Sequence, residues 1–373
     1  MSLTSHPISR MPINLLKMPS LIGEMVVTEL DYQEIFLLSL CSRRSWSLVK
    51  KARITVPKLT FHSEKCDTFV IGVKTNMMRW SYVTSVKHVP KLNLGGVADV
   101  KPGIDYKATI VSWYEDDPDY DEEDPGSDEE DPGHGPSFRH RIECADEPMT
   151  IQKETQDHIN SIFHYSGPYE LYLSTKCKGQ LPNIKNVEDI EIEHDTVDTE
   201  FLTSVLTKYP DTQSLSVVSN IIGGLPEDSP FFQVQNVYVA SQCGPEYFQN
   251  FVGRNMFLEG VTVTEQDLIQ LLQKWISDEA YHNLETLSII VEHPLLINAD
   301  LIRQAIEFEE YDPNEPEKRP KNFVMDAPFI SNCAKEEYRL RSEDFVEIKR
   351  IADGKRAFLY CDPTQLDFLV PKV

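Results

Sequence analysis

The chain has 373 residues, 40% hydrophobic and 26% charged, which is typical of globular proteins and allows two or three domains. Its 36 basic residues oppose 60 acidic ones, giving a formal net charge of −24. This charge disfavours nucleic-acid binding, which depends on basic side chains displacing counterions. No apolar run approaches the roughly 18 residues of a membrane-spanning helix, and we expect no secretory signal.

The seven cysteines are scattered and form no C-x-x-C pair. This pattern indicates neither a disulfide framework nor a zinc site. We therefore expect a reducing compartment, cytoplasmic and/or nuclear.

The first predicted element, residues 18 to 53, is helical. Pro19 can open a helix, and Asp31 can cap a second one with Glu34 as its capping-box partner. Apolar residues recur at helical spacing in the first helix: Leu21, Ile22, Met25, Val26 and Leu30. The second helix is apolar on most of its faces. Some 40 residues rarely bury enough surface to be stable alone, so we predict that this segment needs a partner surface.

The segment resembles the F-box, and specifically that of the large nematode group whose members carry a type 2 F-box-associated domain. The matching residues are Met18-Pro19, Val26, Leu30-Asp31, Ile35, the run from Leu38 to Arg44, and Trp46. There are two departures: Leu21 stands where an acidic residue is common, and Trp46 lies one position late. The alternative is a small buried helical hairpin belonging to the next domain.

The resemblance implies a three-helix F-box at residues 12 to 53 that docks on a Skp-family adaptor. It also implies which residues form the core and docking surface. They are Pro19, Leu21, Ile22, Val26, Leu30, Ile35, Leu38, Leu40 and Trp46.

Residues 54 to 150 contain short runs rich in β-branched and aromatic residues, which predict a small antiparallel β unit. Residues 115 to 131 interrupt it with twelve acids and no base. We expect a disordered insertion at 115 to 136, inside a hairpin loop, because like charges repel and no core can form. Ser127, followed by three acids, is a possible phosphosite. The alternative is a solvated insertion without a role.

From residue 151 onward, an apolar-x-x-apolar-x-apolar motif recurs in predicted strands. The central positions are 171, 190, 215, 237, 261 and 287. This spacing is close to the period of leucine-rich repeats. Helical patterns fill gaps at 198 to 209, at 245 to 252, and after Thr264 and Asn298. We expect irregular, leucine-rich-repeat-like strand–helix units, the alternative being accidental periodicity in an ordinary α/β domain.

The family resemblance continues at 256 to 264, 275 to 276, 284 to 289, 348 to 355 and 357 to 360. Asp353-Gly354 is a hairpin signal within this region. The predicted fold is therefore α+β or α/β. It has an N-terminal three-helix F-box, a small antiparallel β unit, and leucine-rich-repeat-like repeats at 151 to 373 that end in a C-terminal β-hairpin. The resemblance implies that the repeats form a substrate-binding, F-box-associated domain.

No phosphate-binding glycine loop, G-x-S-x-G elbow or H-E-x-x-H motif occurs, so we name no catalytic, cofactor-binding or metal-ligating residue. The resemblance implies a non-catalytic, substrate-recruiting subunit of an SCF-type cullin–RING ubiquitin ligase. Its partners would be a Skp-family adaptor, through it a cullin, and an unknown target protein, with the chain a monomer in the complex. The alternatives are a protein-binding scaffold without ubiquitin transfer and, in third place, an enzyme.

Overall fold

The computed structural model describes residues 15–65, 67–76, 79–89, 108–114, 138–145, 148–177, 181–193, 196–325 and 337–372. These residues form a mixed α/β protein with eight α-helices and a large, mostly parallel sheet. The predicted acidic insertion at 115 to 136, with Ser127, lies outside the described residues.

The chain divides into two compact units. The N-terminal unit comprises Met1–Pro57, Val70–Val73 and Ser81–Ser166. The C-terminal unit comprises Lys58–Phe69, Lys74–Trp80 and Gly167–Val373. The division into three parts inferred from the sequence stays a prediction.

Four helices belong to the N-terminal unit: α1 (Ser20–Thr28), α2 (Tyr32–Cys41), α3 (Arg43–Ala52) and α4 (Pro148–Phe163). The predicted capping box of α2 is present, because the Glu34 amide donates to Asp31 Oδ1 at 2.7 Å and the Asp31 amide donates to Glu34 Oε2 at 3.1 Å. The sequence did not predict α4. Its buried face includes polar residues such as Gln152 and Gln156, which weaken the apolar pattern that marks a helix.

The first five strands are β1 (Lys58–Lys65), β2 (Thr68–Asn76), β3 (Arg79–His88), β4 (Ala108–Tyr114) and β5 (Phe138–Cys144). As predicted for a small antiparallel unit, β4 pairs with β5 in antiparallel fashion. At β3 the prediction is wrong, since this strand pairs with β5 in parallel. Parallel neighbours need a long connection, and residues 89–137 supply one.

The remaining strands are β6 (Tyr169–Ser174), β7 (Val187–Glu193), β8 (Thr196–Asp198), β9 (Ser214–Val217), β10 (Asn220–Ile222), β11 (Asn236–Cys243), β12 (Asn255–Val261), β13 (Thr286–Val291), β14 (Asn322–Val324), β15 (Glu337–Arg339), β16 (Phe345–Lys349), β17 (Arg356–Cys361) and β18 (Gln365–Leu369). Within the C-terminal unit the main sheet runs β1-β6-β7-β9-β11-β12-β13-β18-β17-β16. It is parallel from β1 to β13 and antiparallel beyond. The predicted C-terminal hairpin is present as β16 and β17, and Gly354 takes a φ of +70° in the connection between them.

The helices of this unit are α5 (Thr199–Lys208), α6 (Glu246–Gln249), α7 (Glu265–Ile276) and α8 (Ala299–Gln304). They follow the four predicted helical patterns. In the structure Asp198, Thr264 and Asn298 cap three of these helices. One buried apolar residue per strand lines up across the sheet: Leu171, Ile190, Leu215, Val237, Met256 and Leu287. Trp275 of α7 meets Phe368 of β18 with ring centroids 5.1 Å apart, which places α7 on this side of the sheet. Connections between sequential parallel strands are right-handed, so the other helices between such strands lie on the same side.

One repeat frame predicted from the sequence is wrong. Met256, and not Val261, lies opposite Val237 and Leu287. The pairing shifts between Glu259 and Val261, where Gly260 has a φ of +76°. Because apolar residues stand at 256 to 258 and again at 261, the sequence fits a repeat centred on either Met256 or Val261. The irregularity at Gly260 decides between the two.

Strands β14 and β15 pack on the sheet face opposite the helices. Their apolar side chains join a buried cluster with sheet residues that alternate along the strands with the helix-facing ones. The segment contributes Phe323, Met325, Tyr338 and Leu340, and the sheet contributes Tyr238, Phe257, Phe345, Phe358 and Leu369. Arg319 holds the segment by donating to the carbonyl oxygens of Phe345 at 2.7 Å and Leu340 at 3.3 Å. This half of the face is therefore occupied by the chain itself.

Candidate partner-binding surface

Helix α1 buries one side and exposes an apolar one. Gly23 and Val27 are its buried residues, and a Cβ added at Gly23 would lie 3.1 Å from Leu48 Cδ1 of α3. Glycine thus lets α1 approach α3 closely. Four apolar residues remain exposed on α1: Leu21 (68%), Ile22 (46%), Met25 (61%) and Val26 (37%). We call these four the α1 face.

Helices α2 and α3 form the interior of the helical part. Ile35, Phe36 and Leu40 of α2 are buried, and so are Leu48 and Val49 of α3. The apolar second helix is therefore largely covered from within the N-terminal unit, in keeping with its lack of a polar face.

Helix α4 supplies part of that cover. The Ser39 hydroxyl lies 2.7 Å from His158 Nε2, and the rings of Tyr32 and Phe163 meet edge to face at 5.8 Å. Trp46 donates from Nε1 to the Ser161 hydroxyl at 3.4 Å. The partner surface that the sequence predicted for residues 18 to 53 is thus provided in part by residues over 100 positions away.

The residues implied by the F-box resemblance separate into three groups. Ile35 and Leu40 are core. Half-buried positions are Leu30, Leu38 and Trp46, while exposed ones are Pro19, Leu21, Ile22 and Val26. The sequence did not nominate Met25 as a docking residue, although its spacing of four from Leu21 places both on one side of the helix.

Two histidines flank the ring of Phe36, each with its centroid 5.8 Å away. Burial lowers the pKa of His140 to about 4 and that of His158 to about 4. Both rings are therefore neutral at physiological pH and act as packing groups in the N-terminal unit. Their position beside Phe36 makes this unit sensitive to acid.

A cavity of about 580 Å³ lies beside the start of α2. Its ionisable lining residues are Asp31, Tyr32, Arg53 and Tyr82. The Asp31 carboxylate caps α2, and the Tyr82 hydroxyl donates to the His140 carbonyl. The Asp31 carboxylate and the Tyr82 hydroxyl thus stabilise the fold around the cavity.

Within the described ranges, no set of three or more histidine, cysteine, aspartate or glutamate side chains is placed to hold a metal ion. In the same part of the chain, no helix combines the length and apolar character needed to cross a membrane.

No family model, curated protein or solved structure matches this chain.

Proposed function

We propose that the chain is the substrate-recognition subunit of an SCF-type cullin–RING ubiquitin ligase. The N-terminal helices would form an F-box that docks on a Skp-family adaptor. The C-terminal unit would form leucine-rich-repeat-like strand–helix repeats that hold the target protein. The observation that carries the proposal is the α1 face, an apolar helix surface in the segment whose residues resemble the F-box.

The α1 face is apolar and exposed, as a docking surface would be. Leu21, Ile22, Met25 and Val26 are between 37% and 68% exposed, so a partner can still remove much of their area from water. Burying an aliphatic side chain fully contributes on the order of 1.5–3 kcal/mol. Covering what remains exposed of four such residues therefore supplies a large part of the about 8 kcal/mol that a micromolar complex requires.

The mechanism would be proximity. A target bound to the C-terminal unit, on a chain bound to the adaptor, is held at high effective concentration near the charged ubiquitin-conjugating enzyme. The chain itself would contribute binding energy and no catalytic group. Recruitment through a cullin follows from the same resemblance.

The test measures binding of a purified Skp-family adaptor to the full chain and to two double variants. Leu21→Asp with Met25→Asp places two charges on the α1 face and should weaken binding by at least about 100-fold. The matched control is Leu296→Asp with Ile351→Asp, since these apolar residues of the C-terminal unit are 66% and 79% exposed. It should bind as the wild type does. No adaptor binding by the wild type, or equal binding by all three, would refute the proposal.

A further inference from the structure

Three aromatic rings stack on the sheet face opposite the helices, at the β1 end of the C-terminal unit. His62 of β1 lies opposite Tyr172 of β6, and their rings are parallel with centroids 4.2 Å apart. Trp80 lies on the other side of His62 at 4.8 Å. The stack ends in Trp80, which is 42% exposed. It thus presents an indole surface to solvent outside the cluster formed by β14 and β15.

Two carboxylates lie next to Tyr172 on the same face of the sheet and extend the row of side chains that begins at Trp80. Tyr172 lies opposite Glu191 of β7, and Glu193 follows on the same face two residues later. Both side chains are half-buried. Burial first, then a hydrogen bond from Glu193 and the negative charges of Glu193 and Glu170, raise the pKa of Glu191, with Lys74 acting in the opposite sense. Glu191 therefore retains its proton to higher pH than an isolated carboxyl would.

The neighbouring charges are already paired. Glu170 is buried and accepts from Lys74 Nζ at 2.6 Å and from the Tyr172 hydroxyl at 2.7 Å. Asp189 forms an ion pair with Lys58. Among the described residues, Glu191 and Glu193 take part in no such ion pair, so an incoming cation can approach both carboxyls.

We propose that the surface formed by Trp80, Tyr172, Glu191 and Glu193 binds a basic segment of a partner protein, with one arginine or lysine over the Trp80 ring and another at the carboxyl pair. A cation over an indole face is attracted by the ring quadrupole. The row crosses several strands spaced about 4.8 Å apart, a distance that side chains a few residues apart on an extended peptide can span. The acidic groups exclude phosphate-bearing partners such as nucleic acid.

This inference deepens the proposed function, on which it rests in one respect: the basic segment would belong to the target that the adaptor recruits. The binding surface itself can be tested without the ligase. Adaptor binding, measured on the same variants, keeps the two questions apart because the α1 face and the ring stack belong to different units.

The experiment titrates the full chain with the peptide (Gly-Arg-Ser)3, blocked at both ends, beside (Gly-Gln-Ser)3. The chain is labelled with fluorotryptophan, so fluorine NMR shows its four tryptophans separately, and Trp80→Phe assigns the Trp80 signal. We expect the arginine peptide to shift the Trp80 resonance and the glutamine peptide to leave it in place. An unmoved Trp80 resonance would overturn the proposal even if the acidic chain binds the peptide elsewhere.

Affinity is then compared between the wild type and Glu191→Gln with Glu193→Gln, which preserves side-chain shape. The matched control, Glu227→Gln with Asp228→Asn, removes two charges from exposed positions in the same unit. We expect the first variant to bind the arginine peptide about tenfold more weakly and the control to stay within about twofold of the wild type. Equal losses of affinity in both variants would mean that net charge alone causes the effect, and would overturn the proposed site.

A pH series adds an independent readout. Arginine stays charged throughout, so wild-type affinity should rise as pH increases from about 6 to about 9, because Glu191, whose pKa is raised, loses its proton over this range. The Glu191→Gln, Glu193→Gln variant should lose most of this rise, since Glu170 stays paired with Lys74. A flat wild-type profile would contradict the role of the carboxyl pair.

Discussion

The hydroxyl of Ser39 and the imidazole of His158 lie 2.7 Å apart and join the second helix of the N-terminal unit to α4. His158 also meets Phe36, which is fully buried. Residues 119 or more positions apart thus share one helical core. Residues 18 to 53 are stabilised by a helix that follows the β strands of their own unit, and α1 is left with its apolar face exposed.

We expect His158→Ala to lower the free energy of unfolding by on the order of 1–3 kcal/mol, since the variant loses the bond to Ser39 and leaves space beside Phe36. Urea denaturation followed by circular dichroism measures this loss. His282→Ala is the control, because the His282 side chain is 59% exposed. If both variants were as stable as the wild type, α4 would not support the core.

Acid should destabilise the N-terminal unit through its two buried histidines. Their pKa is about 4 in the folded protein and about 6.5 in the unfolded chain. Above pH 6.5 the histidines are neutral in both the folded and the unfolded state, so they do not lower the free energy of unfolding. As pH falls toward 4, the two histidines bind protons in the unfolded state but not in the folded state. Each histidine therefore lowers the free energy of unfolding by about 1.4 kcal/mol per pH unit.

The measurement is thermal unfolding of the wild type and of His140→Phe between about pH 7.5 and pH 4.5. The variant can stack on Phe36 but cannot titrate. It should lose clearly less stability across this range than the wild type, whatever its stability at neutral pH. Parallel pH profiles would mean that His140 does not contribute.

Arg319 should hold the covering segment on the sheet. Its guanidinium donates to the carbonyl oxygens of Glu309, Leu340, Ser342 and Phe345. Arg319→Met keeps much of the volume but removes the donors, so we expect a loss of on the order of 2–4 kcal/mol and faster amide exchange at 322–324 and 337–339. Lys321→Met, at an exposed neighbouring position, should change neither quantity. Unaltered exchange in Arg319→Met would show that apolar packing alone holds the segment.

Much of the fold could be predicted from short sequence patterns. The helix starts at Asp31, Asp198, Thr264 and Asn298 and the turn at Gly354 all lie where the sequence predicted them, because each depends on a few adjacent residues. Long-range choices did not follow from local patterns. The parallel pairing of β3 with β5 and the packing of α4 on α2 depend on residues far apart in the chain. Periodicity showed which residues of α1 lie on one side, but only the packing of Gly23 on Leu48 shows which side stays exposed.

A ligase and a stoichiometric scaffold differ in what happens to the bound protein. If the chain recruits targets for ubiquitin transfer, removing it should raise the steady-state level of proteins that bind the C-terminal unit. Expressing the Leu21→Asp, Met25→Asp variant in its place should not lower these levels again, because the variant binds the target but not the adaptor. Quantitative mass spectrometry of bound proteins gives the answer, and unchanged levels would favour the scaffold.

The most direct test of the account is hydrogen–deuterium exchange of the full chain with and without a purified Skp-family adaptor. The account predicts that the adaptor slows exchange in peptides covering Ser20–Thr28 and leaves the strands of the C-terminal unit unchanged. A complex that forms without protection of α1 would contradict the assignment of the α1 face. The absence of any complex would contradict the proposed function itself.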